Sequence, residues 1–105
     1  MFRIAPADAS ADAVERIASR RNMLLQGGDV VVCREKTPRL RPTQDAPIWR
    51  YRVYVHPDRH EGRIFTGFEP AATESEQLAT RLKARAMYVE DGVPVMLADY
   101  RREQH

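Results

Sequence analysis

The sequence predicts an α+β fold: a small four-stranded, mostly antiparallel sheet with two helices on one face, in the order α-β-β-β-α-β. Three observations carry this. Residues 48–56 (IWRYRVYVH) alternate between apolar and polar side chains, as a half-buried strand does. Two segments, within 9–26 and from Thr73 onward, space their apolar residues at helical intervals, and each meets a glycine at its end. A chain of 105 residues supports one domain, and at that size about two-thirds of the unfolded surface can be buried without a disulfide or metal to help.

The first helix is expected within residues 9–26, with Val14, Ile17, Ala18, Leu24 and Leu25 near one face. Asp12 and Glu15 fit a capping box, with Ser10 as a rival cap. Gly27 and Gly28 are read as its stop, because glycine accepts the left-handed backbone that closes a helix. Val30-Val31-Val32-Cys33 is a β-branched run and reads as the first strand. Residues 36–47, with Pro38, Pro42 and Pro47, read as a long loop.

Residues 48–68 are predicted to form a hairpin. Trp49, Tyr51, Val53 and Val55 face the core; Arg50, Arg52, Tyr54 and His56 face away; residues 57–62 turn the chain; the third strand follows from Arg63. The second helix is expected to start at Thr73, capped through Glu76. Its buried stripe runs through Leu78, Leu82, Arg85/Ala86 and Val89, and it stops at Gly92. Residues 93–100 are then the fourth strand, with Pro94 near its start, where a missing donor costs least. In this layout Phe65, Met96 and one of the Val30/Val32 and Val31/Cys33 pairs point away from the helices. A partly apolar open face calls for a partner, a second copy of the chain being one candidate.

Apolar residues at 43% and charged residues at 30% describe a globular chain, not a disordered one. One cysteine, Cys33, permits no intrachain disulfide, and this fits a reducing compartment. No apolar leader or membrane-length run is visible, so a soluble, cytoplasmic protein with no membrane partner is expected. The net charge is only +2, yet it is unevenly spread. Residues 34–63 carry eight basic and four acidic side chains, whereas residues 67–105 carry five and seven. Fifteen of the seventeen basic residues are arginine, which recognises anions through a planar fork that lysine lacks. Compositional bias is the plainer source of that excess.

Several residues invite chemical readings, each with a plainer alternative. His56, His60 and Glu61 read HxxxHE, but the histidines flank a Pro-Asp turn and not a helix, so solvated turn residues are preferred to a metal site. Cys33 in a valine run reads as a small hydrophobe, not as a nucleophile. Gly27-Gly28-Asp29 precedes a strand, unlike a phosphate-cradling loop, which opens a helix. The strand face Arg50/Arg52/Tyr54/His56, extended by loop residues Arg39 and Arg41, mixes cations with aromatic planes, a combination that suits phosphates and bases. A solvated face whose arginine stems cover apolar surface is its alternative.

The order α-β-β-β-α resembles that of double-stranded-RNA-binding domains. The likeness is of element order alone: Thr73-Glu74-Ser75-Glu76 stands where that family carries lysines, so membership is not inferred. With no acid/base constellation in sight, the expected function is a non-catalytic interaction domain without cofactor or metal. It is expected to self-associate as a homodimer and to bind a protein or small molecule. The alternative is a nucleic-acid-binding or regulatory module using residues 34–63.

Overall fold

The computed structural model describes residues 9–38 and 48–104, with side chains described from Ala13 onward. Its elements are α1 (Ala9–Arg20), β1 (Val30–Lys36), β2 (Trp49–Val55), a short 3-10 turn (Arg59–Glu61), β3 (Arg63–Phe65), α2 (Phe68–Leu82), β4 (Ala86–Glu90), β5 (Val93–Met96) and α3 (Leu97–Glu103). The class is α+β, as expected. Among the described residues there are five strands where four were predicted and three helices where two were, in one sheet of order β3-β2-β1-β4-β5. The β1/β2, β2/β3 and β4/β5 pairs are antiparallel; β1 and β4 run parallel.

The predicted hairpin forms with the predicted faces, but its third strand, expected to run through Arg63–Phe68, stops at Phe65, because α2 begins at Phe68. Val30 pairs with Val55, Val32 with Val53 and Arg34 with Tyr51, so Tyr51, Val53 and Val55 share the helix-covered face with Val30 and Val32. That face packs against Val14 and Ile17 of α1, Ala71, Ala72 and Ala79 of α2, and Leu97 and Tyr100 of α3. Phe68 lies edge-on to Tyr51, Tyr88 and Tyr100, while Tyr88 and Tyr100 stack at 4.0 Å. Phe65 pairs with Tyr51 and joins this core; it does not point away from the helices as expected.

Several element boundaries differ from the sequence reading. α1 ends at Arg20, so Leu24 is exposed and Leu25 leaves the helix altogether. Ser10 and Asp12 lie inside α1 and cannot be its N-cap. Gly27 and Gly28 serve the turn into β1, Gly28 at φ 96° with its N–H on the His56 carbonyl. α2 starts at Phe68, with Gly67 as N-cap and Pro70 in the first turn, where a helix has no acceptor for the N–H that proline lacks. Thr73 and Glu76 are therefore interior positions.

The largest correction concerns residues 84–96. α2 closes at Lys83, which takes the left-handed conformation at φ 55°, and Ala84 donates back to the Ala79 carbonyl. Residues 86–90, predicted as the end of a helix, are β4. This central strand is buried on both faces, so apolar residues fill both of its sides and the period of two is erased. Asp91 and Gly92, at φ 52° and 79°, form the two-residue turn of a β4/β5 hairpin. The strand predicted for residues 93–100 stops at Met96, and α3 takes over at once.

The opposite sheet face carries a second cluster of Val31, Tyr54, Met87 and Val89, with Cys33 and Met96 against it. It is partly roofed by the segment after α1, from which Met23 and Leu25 pack onto it. That segment is clasped in place. The Arg85 guanidinium donates to both carboxylate oxygens of Asp29 (2.9 and 2.6 Å) and to the Leu24 carbonyl, and the Gln26 N–H donates to Asp29. The clasp holds the Asp29 carboxyl below its ordinary range, chiefly through the hydrogen bond from Arg85. Among the described residues no helix is long and apolar enough to cross a membrane.

Candidate functional site

Beyond the roofed part, the second face turns polar along β1 and β2. β1 runs on to Lys36, past the predicted end at Cys33, and this places Glu35 on the same face as Val31 and Cys33. Glu35 sits directly opposite Arg50, and Arg52 lies opposite Cys33, one diagonal step away. Arg59 reaches back from the 3-10 turn that follows β2. All three guanidiniums converge on the one carboxylate. Arg50 Nε donates to Glu35 Oε1 at 3.2 Å. Arg52 is bidentate, from Nε to Oε2 at 2.7 Å and from Nη2 to Oε1 at 3.3 Å. Arg59 donates through Nε and Nη2 to Oε2 at 3.2 and 2.5 Å.

Burial pushes the Glu35 carboxyl up, but hydrogen bonds from Arg52 and Arg59 outweigh it and bring the group down to about 2. Glu35 is thus a carboxylate throughout the neutral range. Three cations against one anion leave a local charge of +2. Asp58 and Glu61, on the same loop as Arg59, pair with none of the three arginines. Glu35, Arg50, Arg52, Arg59 and His60 line an open basin of about 320 Å³.

Gly62 positions this site sterically. A Cβ there would lie 2.7 Å from Arg52 Cγ and 2.9 Å from the Val53 carbonyl oxygen. Only glycine lets the loop carrying Arg59 and His60 press against the stem of Arg52.

Of the residues singled out from sequence, Arg50 and Arg52 come together here. Tyr54 shares their face but is buried in the second apolar cluster, and that burial raises its hydroxyl pKa. His56 follows β2, six positions from Arg50 and so about 20 Å along the strand; its N–H donates to the Asp29 carbonyl. Arg39 and Arg41 lie outside the described residues. Cys33 is half-buried beside the basin, and burial pushes its thiol up, away from the thiolate a nucleophile needs. Among the described residues no three His, Cys, Asp or Glu side chains are grouped to hold a metal ion.

Glu35, Arg59 and His60 were not assigned to an anion site from sequence. One available signal was strand length: extending the first strand by one alternation past Cys33 puts Glu35 opposite Arg50 in any hairpin closed by residues 37–48. Comparison of the chain with family models, with curated proteins and with solved structures found no match.

Proposed function

We propose that this chain is a non-catalytic binding domain whose working surface is the arginine basin, and that it docks a partner through an anionic group. The observation that supports it is the fan of Arg50, Arg52 and Arg59 on the single carboxylate of Glu35. One cation suffices to neutralise Glu35; the other two also attract the carboxylate but repel one another, and an arriving anion would relieve that repulsion. Arginine forks held by a carboxylate are already aligned, so little side-chain entropy is lost on binding.

The test is salt-dependent binding of polyanions, measured by fluorescence anisotropy with a labelled poly-glutamate peptide and a labelled RNA. Binding at low ionic strength should weaken as salt rises, and the double change Arg50→Ala plus Arg59→Ala should abolish it. No binding of either polyanion at low salt would overturn the reading.

Self-association is a second reading. Met23 and Leu25 already cover part of the second face, so the motive for placing a second copy there is reduced. The outer edge of β3 remains, with Ile64 43% exposed, and an uncovered strand edge is a common route to pairing between chains. Light scattering at high concentration should then report about twice the 12.1 kDa chain mass; a mass of one chain would remove this reading.

A further inference from the structure

We propose that the basin selects a phosphate monoester, a compact dianion, over the phosphodiester backbone of a nucleic acid. This rests on reading the basin as an anion site and names the ligand chemistry of that site.

Charge is the first argument. The surplus around Glu35 is +2. A monoester carries about −1.5 to −2 at neutral pH, whereas each diester phosphate and each carboxylate carries a single charge. Donor supply is the second. Glu35 engages Nε of all three arginines and Nη2 of Arg52 and Arg59. Both terminal nitrogens of Arg50 and the Nη1 groups of Arg52 and Arg59 make no hydrogen bond to a described residue. These suit the three terminal oxygens of a monoester, since guanidinium–phosphate hydrogen bonds are the strong, charge-assisted kind.

Shape is the third. A basin of about 320 Å³ is at the lower end of ligand-site sizes, enough for a phosphate head group. Proteins that bind single strands add aromatic platforms on which bases stack. Here Tyr54 is buried, and Trp49 faces the other side of the sheet with the Arg34 guanidinium 3.7 Å over its ring. Among the described residues no Phe, Tyr or Trp ring lines the basin; His60 is its one imidazole.

A phosphorylated side chain and a free phosphorylated small molecule share this head group. Calorimetry on the whole chain at fixed ionic strength can separate them, using a phosphoserine peptide, its serine and glutamate versions, glycerol phosphate, and a short RNA lacking terminal phosphate. The phosphoserine peptide should bind about tenfold or more tighter than the glutamate version and the RNA. Arg50→Gln and Arg59→Gln should each weaken it by about tenfold while the chain still melts cooperatively, because Arg52 keeps its bidentate hold on Glu35. Equal binding of glycerol phosphate and peptide supports the proposal with the head group alone as ligand; tighter peptide binding supports it with a polypeptide as the source. RNA binding as tight as the monoester's would overturn the proposal and leave the anion site standing. Failure of every anion to bind would overturn both, and so would binding that survives the Arg50→Gln, Arg59→Gln double variant.

Discussion

On the helix-covered side of the molecule Arg16, Arg20, Arg101 and Arg102 meet Glu103, Glu69, Glu76 and Asp99, four cations to four carboxylates. On the open side of the sheet Arg50, Arg52 and Arg59 meet, among the described residues, the single carboxylate of Glu35. Both sets are arginine clusters by sequence, and composition cannot tell them apart. Stoichiometry can: the first is neutral and ties α1, α2 and α3 together, whereas the second holds charge in reserve.

The contrast can be broken in order of effect. Tyr88→Ala on the helix face removes a fully buried ring stacked on Tyr100 and edge-on to Phe68. Stability should fall by about 3–5 kcal/mol in urea unfolding, as for other buried aromatics; a loss under about 1 kcal/mol would mean that this face is not the main core. Gly62→Ala on the open face should cost about 1–3 kcal/mol by overpacking against Arg52 and Val53. It should also weaken anion binding, since Arg52 must shift. An unchanged melting temperature together with unchanged binding would show that the loop tolerates the methyl group.

The Glu35 carboxyl offers a test by pH. Its folded value, about 2, lies below the ordinary 4.5. A lowered carboxyl stabilises the fold above its unfolded value and loses that contribution as pH falls toward the folded one. The stability of the native chain should therefore decline between about pH 4.5 and pH 2 more steeply than that of Glu35→Gln. Parallel curves would mean that the arginines do not hold this carboxylate in solution. The smallest effect is expected from Arg102→Ala, which breaks an exposed pair with Asp99 three residues earlier in α3. A change within about 0.5 kcal/mol is expected; a larger one would give the helix-side network more weight than surface pairs carry.

The sequence revealed local periodicity well and two-sided burial poorly. The alternation in residues 48–56 set the hairpin and its faces because one side of β2 is wet. Met87-Tyr88-Val89 gave no alternation because β4 is covered on both sides, and an all-apolar run fits a helical stripe as readily. Asp91-Gly92 was available as a hairpin signal, since that dipeptide suits the two positive φ values of a tight turn. The helix stop expected at Gly92 fails because α2 already closes at Lys83. The candidate site was half legible. Arg50 and Arg52 follow from alternation alone, but Arg59 and Glu35 join them only through pairing register and a turn that folds back, and neither leaves a periodic trace.

The parallel junction has a consequence for the order of assembly. The hairpins β2/β3 and β4/β5 close over nine residues between Val53 and Arg63 and two between Glu90 and Val93, but β1 meets β4 by pairing Val30 with Ala86, which are 56 positions apart in the chain. Closing so long a loop is entropically expensive, so this pairing should form late and open early. The sheet is in effect two locally made pieces, β3-β2-β1 and β4-β5, joined along one seam. Asp29 and Arg85 stand at the end of that seam, each one residue before its strand, and the Val30 N–H donates to the Arg85 carbonyl there. Their two-pronged clasp latches the strand pairing of greatest sequence separation in the sheet, and amide exchange along β1 and β4 is where its release should first be seen.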